Sequence, residues 1–95
     1  MDNAEIAAVF HDIAGMLRLR KDNIFKIRAY EKVARAIEEL EAPVTQLVAE
    51  GRLGEVSGAG EAITKKLTEL VTTGKLEYYL RLKAEFPEHT GPAEE

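Results

Sequence analysis

The stretch VSGAG, residues 56–60, is the strongest turn signal in this 95-residue sequence. Gly58 and Gly60 let the backbone turn tightly and approach a neighbour closely. Apolar residues at helical spacing follow, beginning with Ile63 and Leu67. We therefore predict a tight turn that leads directly into a helix.

The rest of the sequence also shows helical spacing, and no useful length alternates with the period of two that marks a strand. The first predicted helix runs from Asn3 to Arg20, with Asp2 or Asn3 as its cap, and the second runs from Asn23 to about Leu40. A short third helix begins at Pro43 and has its C-terminal cap at Gly51. The last two run from about Ile63 to Gly74 and from Leu76 to about Phe86. The predicted fold is all-α, a compact bundle of about five helices. We expect one domain over residues 1–87 and a flexible tail over residues 88–95.

The composition narrows the range of functions. A hydrophobic fraction of 45% and a charged fraction of 32% are typical of a globular chain. The absence of cysteine excludes a disulfide framework and thiol chemistry, and the two histidines, His11 and His89, are too far apart for a local metal pair. No apolar run is long enough for a membrane span or a signal peptide, so we expect a cytoplasmic protein.

The charge is unevenly distributed. The net charge is −4, but the segment from Arg18 to Arg35 holds seven cations and two anions, a local balance of +5, which leaves −9 for the remainder. Such a cluster attracts a polyanion over about 8–10 Å. A solvated helix face is the alternative interpretation of the same pattern.

The turn at residues 56–60 fits a helix-hairpin-helix. In that arrangement the exposed main-chain amides at the N-terminus of the second helix hold a phosphate oxygen, which requires little side-chain charge and no base recognition. An acidic protein can therefore bind DNA in this way. A helix cap followed by an ordinary turn is the alternative.

Lys66 lies on the shoulder of the predicted apolar stripe of the fourth helix, roughly 40° beyond Leu70. An amine partly covered by apolar groups and close to other cations has its charged form disfavoured, so it can attack an aldehyde and form a Schiff base. Alternatively, the aliphatic part of Lys66 follows the core and the ammonium reaches water. Lys65 should point into solvent.

Lys26 and Tyr30 stand one turn apart near the start of the second helix. An ammonium and a phenol at this spacing can share one phosphate, and a core aromatic with its hydroxyl at the edge is the alternative for Tyr30. Arg28, Lys32 and Arg35 fall on the opposite face, where we expect solvated side chains or general electrostatic attraction.

Three spaced motifs carry a resemblance that covers about residues 4–86. They are DNIFKIRAY at residues 22–30, ITKKLTEL at residues 63–70 and TGKL at residues 73–76. With the glycine hairpin between the first two, they make the chain resemble the N-terminal helix-hairpin-helix domain of family X DNA polymerases, as in DNA polymerase beta and its bacterial relatives. The resemblance implies binding of gapped DNA at the 5′-phosphate and, in several members, Schiff-base removal of a 5′-deoxyribose phosphate.

The resemblance also implies roles for individual residues. The Schiff-base lysine corresponds to Lys66. The candidate DNA- and phosphate-binding residues are Lys26, Tyr30, Ser57, Gly58, Ala59, Gly60, Lys65 and Lys75. Backbone carbonyls of Gly54, Val56 and Ala59 would hold a monovalent cation, Na⁺ or K⁺, that bridges to a DNA phosphate, and no other cofactor is implied.

The sequence departs from the family pattern beside this site. Ala62 stands where the family has a basic residue, Ser57 replaces the usual proline, and Glu55 and Glu61 add negative charge. Each lost charge-assisted contact costs about 1.5–3 kcal/mol of binding free energy. We therefore expect weaker DNA binding than in the best-equipped members.

Three functions from different classes remain open. The first is a sequence-independent domain that binds gapped or 5′-phosphorylated DNA in base-excision or gap repair, as a monomer at the bacterial nucleoid, attached to or related to the remaining domains of a polymerase. The second is a 5′-deoxyribose-phosphate lyase with Lys66 as nucleophile. The third is a protein-interaction domain that has lost DNA binding. With no palm domain in these 95 residues, we expect no polymerase activity from this chain alone.

Overall fold

A computed structural model describes residues 1–88, and the predicted tail lies outside the described residues except for Glu88. The described part is all-α, as predicted. Five α-helices run over Asn3–Leu19 (α1), Ile24–Glu39 (α2), Val44–Ala49 (α3), Glu61–Thr73 (α4) and Glu77–Glu85 (α5). The bounds agree with the sequence patterns to within two residues.

Helices α1 and α2 form an antiparallel pair that holds most of the core. Asp2 caps α1 and forms a reciprocal capping box with Glu5, while the Asn23 side chain caps α2. Phe10, Leu17 and other fully buried side chains of α1 pack with the apolar stripe of α2. This pair is the platform on which the rest of the chain is assembled.

Asn3, one of the two predicted caps of α1, has a different role. Its side-chain amide donates to the carbonyl of Ala42 at 3.0 Å, and its side-chain oxygen accepts from the backbone N–H of Val44 at 2.8 Å. Asn3 thereby fixes the start of α3 against the start of α1. Pro43 precedes α3 as its N-cap.

A single 3-10 turn over Leu53–Glu55 lies between α3 and the hairpin. The helical patterns did not predict it, because three residues are too few to show a periodicity. Leu53, the first residue of this turn, and Val56, directly after it, are buried. These two anchors hold the hairpin that follows against the core.

Helix α5 docks on α1 and α4. The Tyr79 hydroxyl donates to Asp12 at 2.6 Å, and Asp12 is only 1% exposed. The Glu69 carboxylate of α4 accepts from the backbone N–H of Glu77 at 3.0 Å. These contacts, with buried Leu82, fix α5 in position and rotation.

No helix within residues 1–88 is long and apolar enough to cross a membrane.

Candidate nucleic-acid interface

Tyr30 is buried beneath the surface at the start of α2. It is 4% exposed, which confirms that it faces inward, and its ring stacks on Phe10 at 5.8 Å between centroids and on Tyr78 at 6.1 Å. Burial first, and then the neighbouring Tyr78 hydroxyl, raises the pKa of Tyr30 above its ordinary value. The buried Tyr30 ring therefore supports the Tyr78 ring by stacking against it.

The Tyr78 side chain of α5 contacts residues from two other helices, α2 and α4. The Lys66 Nζ of α4 lies 4.7 Å from the centroid of the Tyr78 ring, and the Lys26 Nζ of α2 lies 5.7 Å from it. An ammonium within about 6 Å of an aromatic centroid is attracted by the negative face of the ring. Lys26, Tyr30, Lys66 and Tyr78 form what we call the tyrosine-lysine cluster.

Lys66 occupies the environment expected from the helical wheel. It is half-buried beside the apolar stripe of α4, and it makes no ion pair within the described residues. Lys65 is exposed over 77% of its side chain, as predicted, and lies 3.9 Å from Glu61. Of these two adjacent lysines, only Lys66 belongs to the cluster.

Tyr78 was not predicted from the sequence as a site residue. Its hydroxyl is buried and makes no hydrogen bond of normal geometry within the described residues, although it lies close enough to influence the ionisation of Tyr30. The sequence feature that could have identified Tyr78 is the pair of adjacent tyrosines, Tyr78 and Tyr79, in a short helix. The Tyr79 hydroxyl points toward the core and donates to Asp12, whereas the adjacent Tyr78 side chain faces α2 and α4.

A groove of about 430 Å³ opens between α4 and α5 beside the cluster. Lys65, Lys66, Tyr78 and Arg81 line it together with three glutamates, Glu61, Glu69 and Glu77. Two of these carboxylates are engaged, because Glu61 faces Lys65 and Glu69 caps α5. Arg81 makes no ion pair within the described residues, so its guanidinium is available to an anion in the groove.

A second, smaller groove of about 270 Å³ lies on the other flank of Tyr78 and Arg81 and is also lined by Arg20. Asp22 bridges Arg20 at 2.7 Å and Lys26 at 3.7 Å. The hydrogen bond from Arg20 is the main cause that lowers the pKa of Asp22 below its usual value. Asp22 thus holds Lys26 on the side of α2 that faces the cluster.

The hairpin presents its backbone to solvent. Ser57, Gly58 and Gly60 are exposed and Ala59 is half-buried against the core. Gly58 adopts a φ of +86°, a left-handed conformation that explains glycine there. Gly60 is the N-cap of α4 and no side chain caps this helix, so its first-turn amides remain open to an acceptor.

The sequence profile of the helix-hairpin-helix domain family matches residues 1–76, four-fifths of the chain. The chain belongs to the helix-hairpin-helix domain family. This membership indicates DNA binding as the general function. No curated protein sequence matches the chain significantly.

The helix-hairpin-helix match ends at Leu76, immediately before α5. Helix α5 nevertheless supplies Tyr78 and Arg81 and is bonded to α1 through Tyr79 and Asp12. The tyrosine-lysine cluster is therefore completed by residues beyond the part of the chain that the family profile covers.

The remaining predicted contacts lie apart from the cluster. Lys75 follows the left-handed cap at Gly74, and both its backbone N–H and its carbonyl are bonded to the Thr73 hydroxyl. It is exposed and does not line either groove. A role for Lys75 on DNA remains a prediction.

The predicted cation ligands lie at the base of the hairpin. The Val56 carbonyl accepts from the Ala59 N–H at 3.2 Å, and the Ala59 carbonyl accepts from the Thr64 hydroxyl at 3.5 Å. Each carbonyl oxygen has a second lone pair that these bonds leave free. The cation site at Gly54, Val56 and Ala59 remains a prediction.

The hairpin has no free cationic side chain of its own. Residues 53–64 contain neither lysine nor arginine. Arg52, just before them, is held by Glu55 at 2.7 Å and also contacts Glu50, and these carboxylates raise the pKa of Arg52 above its ordinary value. Side-chain charge for a phosphate at the hairpin must therefore come from elsewhere in the fold.

Proposed function

We propose that this helix-hairpin-helix domain binds DNA without base specificity and prefers gapped DNA that carries a 5′-phosphate. The single observation behind this proposal is the approach of Lys26 and Lys66 to the Tyr78 ring, beside a groove that Lys66 and Arg81 line. The resemblance to the N-terminal domains of family X DNA polymerases supports the same interpretation and suggests a role in base-excision or gap repair.

The number of cations favours a terminal phosphate over an internal one. A terminal phosphomonoester carries a charge of about −1.5 to −2 at pH 7, whereas an internal phosphodiester carries one negative charge. Lys66 and Arg81, which make no ion pair within residues 1–88, supply two positive charges that match the larger charge, and Lys26, which also faces Asp22 at 3.7 Å, adds to them. Tyr30 and Tyr78 would limit the conformations of the lysines and so reduce the entropy lost on binding.

The hairpin would hold a second, internal phosphate. Open amides at the start of α4 and the exposed backbone N–H groups of Ser57 and Gly58 can donate to phosphate oxygens whatever the base sequence. A monovalent cation on the carbonyls of Gly54, Val56 and Ala59 would add a further link to the same strand. We propose residues 1–87 as the binding domain, since α5 carries part of the cluster.

Fluorescence anisotropy with matched oligonucleotides tests this function. We expect gapped DNA with a 5′-phosphate to bind more tightly than the same gap with a 5′-hydroxyl, and more tightly than intact duplex. The logarithm of the affinity should fall steeply with the logarithm of the salt concentration. No binding at low salt would overturn the proposal and would favour the protein-interaction domain instead.

A second candidate activity is removal of a 5′-deoxyribose phosphate. Lys66 favours it, because this amine is half-buried and has no carboxylate partner among residues 1–88. The neutral Nζ would add to C1′ of the sugar aldehyde, and loss of water would give a Schiff base. Loss of a proton from C2′ to solvent and departure of the 3′ phosphate oxygen would then break the C3′–O bond and form a C2′–C3′ double bond. Hydrolysis of the Schiff base by water would release the sugar phosphate and restore Lys66. The Tyr78 ring attracts the ammonium and not the neutral amine, so phosphate binding and this chemistry place opposite demands on Lys66.

Borohydride trapping with a 5′-abasic substrate tests the lyase. We expect a covalent adduct with the unaltered chain and none with Lys66→Ala. Lys65→Ala is the matched control, because this neighbouring lysine points into solvent, and it should retain the adduct. An adduct that survives Lys66→Ala would assign the chemistry to another amine.

A further inference from the structure

The side chain of Lys32 lies directly on the hairpin turn. A Cβ atom built on Gly58 would be 3.1 Å from the Cδ of Lys32 and 3.2 Å from its Cγ. Such distances are closer than ordinary van der Waals contact, so the lysine methylenes cover the turn at the position where any other residue would carry a side chain. This contact joins α2 to the hairpin across 26 positions of sequence.

The ammonium of Lys32 must lie close to the same turn. Its Nζ is two covalent bonds beyond the Cδ atom that contacts Gly58. Lys32 is exposed and makes no ion pair within the described residues. An uncompensated positive charge therefore lies beside the hairpin turn, where the N–H groups of Ser57 and Gly58 are open.

This charge is what the hairpin lacks locally. Arg52 is engaged by Glu50 and Glu55, and residues 53–64 supply no basic side chain. Glu61 at the start of α4 adds a negative charge instead. The contact with Gly58 therefore makes Lys32 a source of positive charge for a phosphate at this turn, from a helix other than α4.

We propose that Lys32 supplies the side-chain charge of the hairpin phosphate site, where it binds an internal phosphodiester of DNA together with the open amides of the turn and of α4. This inference rests on the proposed DNA-binding function and goes beyond it. It also revises the expectation that Lys32 acts only as a solvated or general electrostatic residue on α2.

Helix α2 then carries two separate phosphate contacts. Lys26 belongs to the tyrosine-lysine cluster and Lys32 to the hairpin, and six residues correspond to a rise of about 9 Å and a rotation of about 240°. The two lysines therefore reach different phosphates. Loss of Lys32 should weaken binding to every DNA that has an intact backbone, with or without a 5′-phosphate.

The test uses duplex DNA without any 5′-phosphate, so that only internal phosphates are available. Lys32→Met retains an unbranched chain over Gly58 but removes the charge, and Lys32→Arg restores the charge. Arg35→Met is the matched control, because this exposed residue of α2 likewise makes no ion pair in the described part of the chain. Affinity is measured by anisotropy over a series of salt concentrations, and folding is checked by thermal unfolding.

We expect Lys32→Met to weaken binding about fivefold and to reduce the salt slope by about one, with Lys32→Arg close to the unaltered chain. Lys32→Gln should repeat the loss and so provides a second variant if methionine alters folding. The inference is overturned if the unaltered chain binds and both neutral variants of Lys32 bind as Arg35→Met does. Failure of the unaltered chain to bind DNA at low salt would instead remove the proposed function on which the inference rests.

Discussion

The Lys66 ammonium lies 4.7 Å from the centre of the Tyr78 ring, and the same ring stacks on Tyr30 at 6.1 Å. A surface cation is thus connected through two aromatic rings to the buried face of α2. This stacking gives the ring a fixed position, and the ring in turn limits where the lysine can go. The arrangement explains how a small acidic domain can hold two lysines next to the same aromatic ring.

Replacing the Tyr78 ring should weaken recognition of a 5′-phosphate. Tyr78→Leu removes both the stacking on Tyr30 and the surface that attracts Lys26 and Lys66. Each cation-π contact is worth about 0.5–1 kcal/mol at an exposed site, so the preference for 5′-phosphate over 5′-hydroxyl should fall about fivefold. Tyr78→Phe retains the ring and should retain the preference, as measured by anisotropy on the two gapped DNAs. An undiminished preference in the leucine variant would contradict the role of the ring.

The two adjacent tyrosines of α5 should respond differently to loss of the hydroxyl. Tyr79 donates to the buried carboxylate of Asp12, so Tyr79→Phe should lower the free energy of unfolding by about 2 kcal/mol. The Tyr78 hydroxyl is buried without a hydrogen bond to any of residues 1–88, and Tyr78→Phe should be neutral or slightly stabilising. Urea denaturation followed by circular dichroism compares the pair, and equal losses would show that the Tyr78 hydroxyl has a partner.

Gly58 should tolerate alanine poorly. Its φ of +86° costs an L-residue about 1–2 kcal/mol, and the new methyl group would press on the Lys32 side chain. Gly58→Ala should lower the free energy of unfolding by at least about 1 kcal/mol. It should also weaken DNA binding, because the new methyl group displaces Lys32. Gly54→Ala is the control, since no atom lies within 4 Å of its added Cβ and its φ is not positive. A Gly58→Ala variant as stable as Gly54→Ala would contradict the strained turn.

The buried phenol of Tyr30 should make the fold sensitive to alkali. Burial raises the pKa of Tyr30 in the folded state above the value of about 10 in the unfolded chain. Its contribution to stability is therefore complete below about pH 10 and is lost as the pH rises above that value, because the unfolded state ionises first. Tyr30→Phe should flatten the dependence of the unfolding free energy on pH above about pH 10. The same slope in both proteins would contradict this assignment.

Local physics predicted the helices and the burial of individual residues. Capping by Asp2 and Asn23, the left-handed stop at Gly74 and the inward position of Tyr30 all follow from residue type and helical spacing within one or two turns. The half-buried position of Lys66 follows from the same geometry. These are short-range properties, which a sequence records directly.

Contacts between distant parts of the chain could not be predicted in this way. The approach of Lys32 to Gly58 depends on how α2 packs against the hairpin, and the position of Tyr78 depends on the docking of α5 through Asp12 and Tyr79. A helical wheel gives the direction of a side chain from its own axis but not the neighbour it meets. For this reason the sequence grouped Lys32 with solvated residues and missed Tyr78.

The central claim is that Lys26 and Lys66 bind one 5′-phosphate together. The most direct measurement is a double-mutant cycle, with Lys26→Met, Lys66→Met and the double variant assayed on gapped DNA with a 5′-phosphate and on the same DNA with a 5′-hydroxyl. We expect each single variant to lose most of the preference for the phosphate and the double variant to lose little more, while all four proteins bind the hydroxyl DNA within a fewfold of one another. Full retention of the phosphate preference in both single variants would contradict the account.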